Sequence, residues 1–203
     1  MTYTTISLVK TTAMIGYSDL GFSSDADYEN YISSVIEMVE GEIDSYCNRQ
    51  RGFFGAGGVA ITDELYDFPE DGIIFLNNYP VLSITKVELN KAGWGAADDW
   101  QEISSTDYVI IKKRGVLKLL EYPGREEESV RVSYVAGYES TPLPVKYVAT
   151  QASVNFLHGV LQRKISPVAR VDEFTIKLVL PEAFTQDLYR KLDPYKRGAV
   201  IIG

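Results

Sequence analysis

The sequence predicts an α+β fold in which a small antiparallel β domain is inserted into a helical bundle. Helical periodicity occupies both ends of the 203-residue chain, whereas residues 61–138 carry strand alternation and turn signals. An early long helix and the helices that return after the strands would pack together as the bundle. We therefore expect residues 1–56 and 139–203 to form the bundle with a C-terminal arm and tail, and residues 57–138 to form the β domain.

The clearest helix begins after Ser24, which can cap it, and Asp25 and Asp27 suit its first turn. Acidic residues, Asp44 among them, are expected on its other faces. Upstream, the pattern predicts one helix over residues 6–17. The apolar face of the long helix is predicted to consist of Tyr28, Ile32, Val35, Ile36, Val39, Ile43 and Tyr46.

The middle of the chain predicts about five strands in a small barrel or sandwich. A phase slip between the alternating runs Leu82–Ile84 and Val87–Leu89 predicts a bulge. Lys113-Arg114-Gly115 lies between two apolar runs and predicts a hairpin. The remaining predicted features are strands at Ile73–Leu76 and Val130–Tyr134, and a glycine-rich hinge over Gly52–Gly58. Gly93–Asp99 is predicted to be a long exposed loop or a hairpin tip, with Trp94 and Trp100 as candidate partner contacts.

Helix returns after Pro142 and Pro144, and a last short helix is predicted to begin at Pro181 and to end at Pro194. Between them we expect a loop at 166–170 and a strand or β-arm at 174–180. The apolar face of the returning helix is predicted to be Val145, Val148, Ala149, Ala152, Phe156, Val160 and Leu161. The tail, residues 195–203, is a candidate partner interface, and we expect it to be disordered in the free chain and to order on assembly. It combines aromatic, basic and apolar side chains, namely Tyr195, Lys196, Arg197, Val200, Ile201 and Ile202.

Residues that could carry catalysis or hold a cofactor are scarce. Cys47 and His158 are the only cysteine and histidine, which excludes sites built on several histidines or cysteines. The glycines at 52–58 lack the Gly-Lys-Ser/Thr ending of a phosphate loop. No run of 18 apolar residues and no signal peptide is visible. We therefore predict no enzyme activity, no cofactor, no metal and no membrane partner.

The net charge of −8 argues against tight binding of a phosphate backbone. It is compatible with DNA that slides past without sticking.

The order of these motifs resembles the head–tail connector, or adaptor, proteins of tailed bacteriophages and related gene-transfer particles. The resemblance rests on the end of the long helix, Ile43–Phe53; on Ile73–Leu76 followed by Tyr79–Val87; on Val130–Tyr138 with Pro142 and Pro144; and on the ending Leu192–Arg197. Each motif alone is weak, and the signal is their order over residues 24–197.

This resemblance implies a structural protein of the virion neck that is present in the host cytoplasm during assembly. Members of the family form rings, typically of twelve subunits, beneath the portal protein. Such a ring extends the DNA channel and offers a platform to the stopper or tail, and its C-terminal segment often reaches toward the portal. Two other interpretations remain: a different neck or tail-completion protein, and a module whose β domain binds sugar or peptide through Trp94 and Trp100.

Overall fold

The computed structural model describes residues 2–93, 95–121, 123, 126–165 and 182–197. The predicted α+β class is confirmed, with helices on either side of a block of strands in the sequence. Contacts divide the chain into a helical unit, Met1–Gly52 with Thr141–Gly203, and a β unit, Phe53–Ser140. That the β unit folds by itself stays a prediction. The helices are α1 (Ile6–Ala13), α2 (Tyr17–Leu20), α3 (Asp25–Tyr46), α4 (Leu143–Ile165) and α5 (Gln186–Leu192).

In the helical unit α3 and α4 pack together, α1 packs on both of them, and α5 packs on α4. The side chain of Ser24 accepts a hydrogen bond from the backbone nitrogen of Asp27, as its predicted capping role requires. The predicted apolar face of α3 is buried from Tyr28 to Ile43, while Tyr46 is half-buried. Burial of this stripe fixes which face of α3 is left to solvent.

Three predictions about the helices are wrong in detail. The segment predicted as one helix over 6–17 forms two, because Met14 adopts a left-handed conformation that ends α1 and α2 then starts at Tyr17. On α4, Leu157 is buried in place of Phe156, Val160 and Leu161, which are half-buried. α5 begins at Gln186, not at Pro181. Pro181, the loop at 166–170 and the strand at 174–180 lie outside the described residues.

The β unit contains two antiparallel sheets, ordered β1-β7-β3-β4 and β2-β6-β5. β7 lies between two strands and buries Val130, Val132 and Tyr134, as its alternation predicted. It also buries Ser133 and Ala136. β3 is one strand whose register shifts between Ile84 and Lys86, which confirms the predicted bulge. The strands are β1 (Val59–Tyr66), β2 (Ile73–Phe75), β3 (Val81–Asn90), β4 (Trp100–Glu102), β5 (Tyr108–Ile111), β6 (Val116–Leu119) and β7 (Val130–Ala136).

Two of the seven described strands were not predicted. In β1 the register shifts between Ile61 and Glu64, where Asp63 has a φ of 53°, so the period of two breaks within the strand. β4 has only three residues and pairs antiparallel with β3, which confirms the hairpin alternative for the segment between them and places Trp100 on a sheet edge. Trp94 lies outside the described residues.

The glycine-rich segment Gly52–Gly58 contains the division between the two units, after Gly52, and it is packed from Phe53 onward. That it acts as a hinge stays a prediction. Phe53 and Phe54 are fully buried, and both rings contact Tyr138. A Cβ on Gly58 would lie 2.3 Å from the carbonyl oxygen of Ala136, and one on Gly137 would lie 2.6 Å from that of Phe53. The glycines therefore serve close backbone packing here.

We expect Val132→Asp to lower the free energy of unfolding by several kcal/mol, about 2–7, because it places a carboxylate in the fully buried face of β7. Val109→Asp is the matched control, since Val109 on β5 is 54% exposed. Urea denaturation measures both. Equal midpoints for the two variants would show that the inward face of β7 is misassigned.

Candidate interaction surfaces

The described residues contain no group of three or more His, Cys, Asp or Glu side chains placed to hold a metal ion. His158, the only histidine of the chain, is half-buried on α4. Among the described helices, none joins the length and apolar character that crossing a membrane requires. What the described residues do offer is a set of polar clusters and open surfaces.

The start of the C-terminal tail is docked within the helical unit. Arg197 donates its backbone N–H to the carbonyl oxygen of Cys47 at 2.9 Å, and Arg49 Nε donates to the carbonyl oxygen of Tyr195 at 3.4 Å. Lys196 Nζ lies 3.8 Å from the centre of the Tyr46 ring. The expectation that everything from Tyr195 onward orders only on a partner is therefore wrong for 195–197. Val200, Ile201 and Ile202 lie outside the described residues.

Cys47 lies beneath this docked segment. Its side chain is fully buried, and Sγ is 3.9 Å from the carbonyl oxygen of Leu192. Burial raises the pKa of the thiol to about 11. The thiol is thus a packed side chain without the character of a nucleophile.

Trp100 is held against the four-stranded sheet. The guanidinium carbon of Arg131 lies 4.5 Å from the centre of its ring, which is half-buried. Arg131 in turn donates to both carboxylate oxygens of Glu88, at 2.8 and 2.9 Å, and Lys86 pairs with Glu88 at 2.8 Å. The hydrogen bond from Arg131 is the main reason that the pKa of Glu88 is lowered. One face of the Trp100 ring is therefore used within the sheet.

A second polar cluster also serves the fold. Tyr66 and Tyr134 both donate their hydroxyls to Glu64, and these hydroxyls accept the backbone N–H groups of Asn77 and Asn78. Burial is the main cause that raises the pKa of Tyr134 to about 12. A neutral tyrosine that both donates and accepts holds the loop before β3 in place, so the cluster is an anchor and not a reactive pair.

The three-stranded sheet presents an apolar face to solvent. Phe75, Val116 and Ile111 form one row across the strands, and Ile73, Lys118 and Val109 form the next. Phe75 is 69% exposed, and Val109 and Ile111 are each more than half exposed. We call these six residues the outer sheet face. The sequence analysis did not predict this exposed face. The unbroken apolar run of Tyr108–Ile111 is typical of a strand that is covered on both faces.

The face of α3 that points away from the bundle is the second surface. Met38 is 55% exposed and lies with Ser34, Glu37, Gly41 and Ser45 along a shallow depression of about 620 Å³. The lining of this depression also includes Asp44 and the basic residues Arg49 and Arg51. A Cβ added to Gly41 would meet nothing within 4 Å. We call Ser34, Glu37, Met38, Gly41 and Ser45 the α3 outer face. The one signal of this face in the sequence is Gly41, a glycine inside a strong helical pattern.

The described residues thus offer surfaces and no reactive site. The sequence over residues 12–159, more than half of the chain, matches the family described as head completion protein. The chain belongs to the head completion protein family. Its family role is structural and not enzymatic, as the sequence predicted, and the resemblance to head–tail connectors is confirmed at this level.

Two chains in solved structures of gene transfer agent particles share the fold of this chain. A chain from the neck of an empty particle, computed with C6 symmetry, matches with a TM-score of 0.51 and 14% identity. A chain from the virion of the native particle matches with a TM-score of 0.52 and 13% identity. Each match covers 98% of this chain and 91% of the other. No curated protein matches the sequence.

Cys47 gives a test of the docked C-terminal segment. In the full-length chain we expect slow labelling of the Cys47 thiol, because the side chain is buried. The raised pKa also leaves about a hundredth of the thiolate fraction that an exposed cysteine would have. Removing residues 195–203 should speed labelling, since it removes the bond from Arg197 to the carbonyl of Cys47. Labelling in urea is the control for full reactivity. An unchanged rate after truncation would show that the segment does not cover the thiol.

Glu88 gives a test by pH. Its pKa is lower in the folded than in the unfolded protein, so its stabilising effect is present above the unfolded value of about 4.3 and is lost as pH falls through the folded value. Glu88→Gln should therefore be less stable than the wild type at neutral pH, and the difference should shrink in acid. Exposed Glu70→Gln is the control. The melting temperatures of both variants are measured by thermal unfolding at several pH values from neutral to acidic. Equal melting temperatures for the two variants at every pH would contradict the pairing.

Proposed function

We propose that this chain is a head-to-tail adaptor that forms a ring, typically of twelve copies, beneath the portal of a phage or phage-like particle. The ring extends the DNA channel and docks the stopper or tail. It resides in the neck of the virion and passes through the host cytoplasm during assembly. The observation that carries the proposal is membership of the head completion family over most of the chain.

The surfaces support a packing role. An apolar sheet face and an exposed helix face remain open on the isolated chain, and contiguous exposed apolar surface indicates protein contacts. The net charge of −8 suits a channel wall that DNA passes without binding. In this proposal residues 195–202 contact the portal, with Lys196 exposed at the end of the docked segment.

The structure argues against the sugar- or peptide-binding alternative for Trp100. A sugar ring stacks on a free aromatic face, and Arg131 already covers one face of this half-buried ring. A different neck or tail-completion protein would bind another component of the particle and not the portal. Imaging with the portal therefore distinguishes that role from the proposed one.

Negative-stain imaging of the purified chain with and without the portal of its particle tests the proposal. We expect rings seated on the portal, and we expect a chain lacking residues 198–203 not to attach. His158→Ala is the control that should assemble normally, because a ring requires packing surfaces and not a proton carrier. We also expect no duplex binding at physiological salt. Portal that stays bare, or rings that bind duplex DNA tightly, would contradict the adaptor role.

A further inference from the structure

The outermost strand of a sheet leaves backbone groups to which a further strand can pair, and proteins usually block such edges. Three of the four edges of the two described sheets carry a blocking feature. β1 has the register shift at Asp63, β4 has only three residues, and on β2, also of three residues, Asp71 already accepts the backbone N–H of Ile73. β5 is the fourth edge. Its residues Tyr108–Ile111 pair with β6 in continuous register and include no charged residue, proline or bulge.

The hydrogen-bond pattern shows which backbone groups of β5 point outward. Leu120, just after β6, donates its backbone N–H to the carbonyl oxygen of Asp107 at 2.9 Å, so the backbone of Asp107 is directed at β6. Successive residues of a strand direct these groups to opposite sides, so those of Tyr108 and Ile110 point away from β6. In the described part of the chain, neither residue has a backbone hydrogen bond outside the β5–β6 pair. Each therefore offers one donor and one acceptor to another strand.

The turn that follows β5 is basic. Its residues Lys113 and Arg114, which we call the basic turn, are exposed, and neither forms an ion pair among the described residues. The opposite end of β5 carries the acidic residue Asp107. Between the two ends, Val109 and Ile111 are each more than half exposed. The edge thus combines free backbone groups and exposed apolar side chains with an unneutralised positive charge at one end only.

We propose that β5 is a docking edge for an extended segment of another protein, which adds to the three-stranded sheet as a fourth strand. The backbone of the segment bonds the outward groups of Tyr108 and Ile110. Its side chains are apolar beside Val109 and Ile111, and it carries carboxylates where it passes the basic turn. In strand addition the main-chain bonds supply affinity and the side chains supply specificity. This contact goes beyond the proposed ring and does not require that the chain form one.

Two other occupants fit this edge less well. The tail of the chain is apolar at Ala199–Ile202, but Lys196 and Arg197 precede these residues and have the same charge as the basic turn. A DNA duplex would meet the exposed side chains of Val109 and Ile111, which offer no hydrogen bonds to phosphate or base edges. Burying these side chains against a protein gains apolar contact, whereas laying them on a duplex does not.

A peptide titration followed by nuclear magnetic resonance tests the docking edge and its charge preference. Two synthetic peptides share the extended core Thr-Val-Thr-Ile-Thr-Val, and one ends in three glutamates whereas the other ends in three lysines. We expect the acidic peptide to shift the backbone amides of Tyr108 and Ile110 and to slow their hydrogen exchange. It should bind about tenfold more tightly than the basic peptide. No binding by the acidic peptide, equal affinity for both peptides, or shifts confined to other strands would overturn the inference.

Proline at an outward position tests the role of the backbone. Ile110→Pro removes an N–H that β6 does not use, and an edge strand tolerates proline at such a position. Binding of the acidic peptide should be lost. Ile110→Ala is the matched control, because it shortens the same side chain but keeps the N–H, and it should still bind. Tyr108→Pro against Tyr108→Ala repeats the comparison if Ile110→Pro does not fold. Binding by a folded proline variant as tight as that of its alanine control would overturn the inference.

Charge reversal tests the basic turn. Lys113→Glu with Arg114→Glu should make the basic peptide the tighter binder of the two. Arg163→Glu with Lys191→Glu is the matched control, since it changes the net charge equally on exposed residues of the helical unit, and it should leave the preference for the acidic peptide unchanged. A duplex DNA titration accompanies both variants.

Two results of this test would overturn the strand addition. One is an unchanged preference in the reversed variant. The other is a shift of the basic turn by duplex DNA but not by the acidic peptide, which would assign the turn to nucleic acid. Whether rings form on the portal is measured separately, so failure of the adaptor role leaves the result for β5 unaffected.

Discussion

The buried carboxylate of Asp44 organises the end of α3, on which much of the helical unit depends. Asp44 is 4% exposed and accepts hydrogen bonds from the hydroxyl of Tyr3 and from the backbone nitrogen of Gly52 at 2.9 Å. Burial raises its pKa, and these two bonds act in the opposite direction. A buried carboxylate is tolerated only while its donors stay in place. The Asp44 side chain therefore connects the first residues of the chain with the residues that follow α3. The carbonyl of Cys47, which accepts the backbone N–H of Arg197, lies in the same region.

The α3 outer face and the outer sheet face both lie on regular secondary structure. The apolar stripe of α3 is used inside the bundle, so its outer face is held in a fixed orientation without taking part in the core. On the three-stranded sheet the inward side chains, such as Ile74 and Leu117, are buried, and the outward ones are presented by the same strands. Surfaces on strands and helices keep their shape better than loops do, which suits an assembly that must repeat one contact around a ring.

The sequence predicted the elements whose signal is local and periodic. The cap at Ser24, the buried stripe of α3 and the bulge within β3 each follow from spacing over a few residues. Asp44 could not be found this way, since its donors lie 41 and 8 residues away and its type favours an exposed position. β1 was missed because Asp63 interrupts its alternation. The outer sheet face was missed because an apolar run predicts burial within the chain, whereas here its side chains stay largely open to solvent among the described residues.

Charge sets the central problem for a ring built from this chain. Each copy carries a net charge of −8, so copies brought together repel one another. At physiological ionic strength the screening length is about 8 Å, so charges far apart on neighbouring copies matter little and those at contact matter most. Residues 108–120 contain four basic residues and no acidic one, which concentrates positive charge on one hairpin of an acidic chain. Positive charge gathered on one hairpin offers a place of contact to an acidic neighbour, while the remaining acidic surface repels the phosphate backbone of DNA.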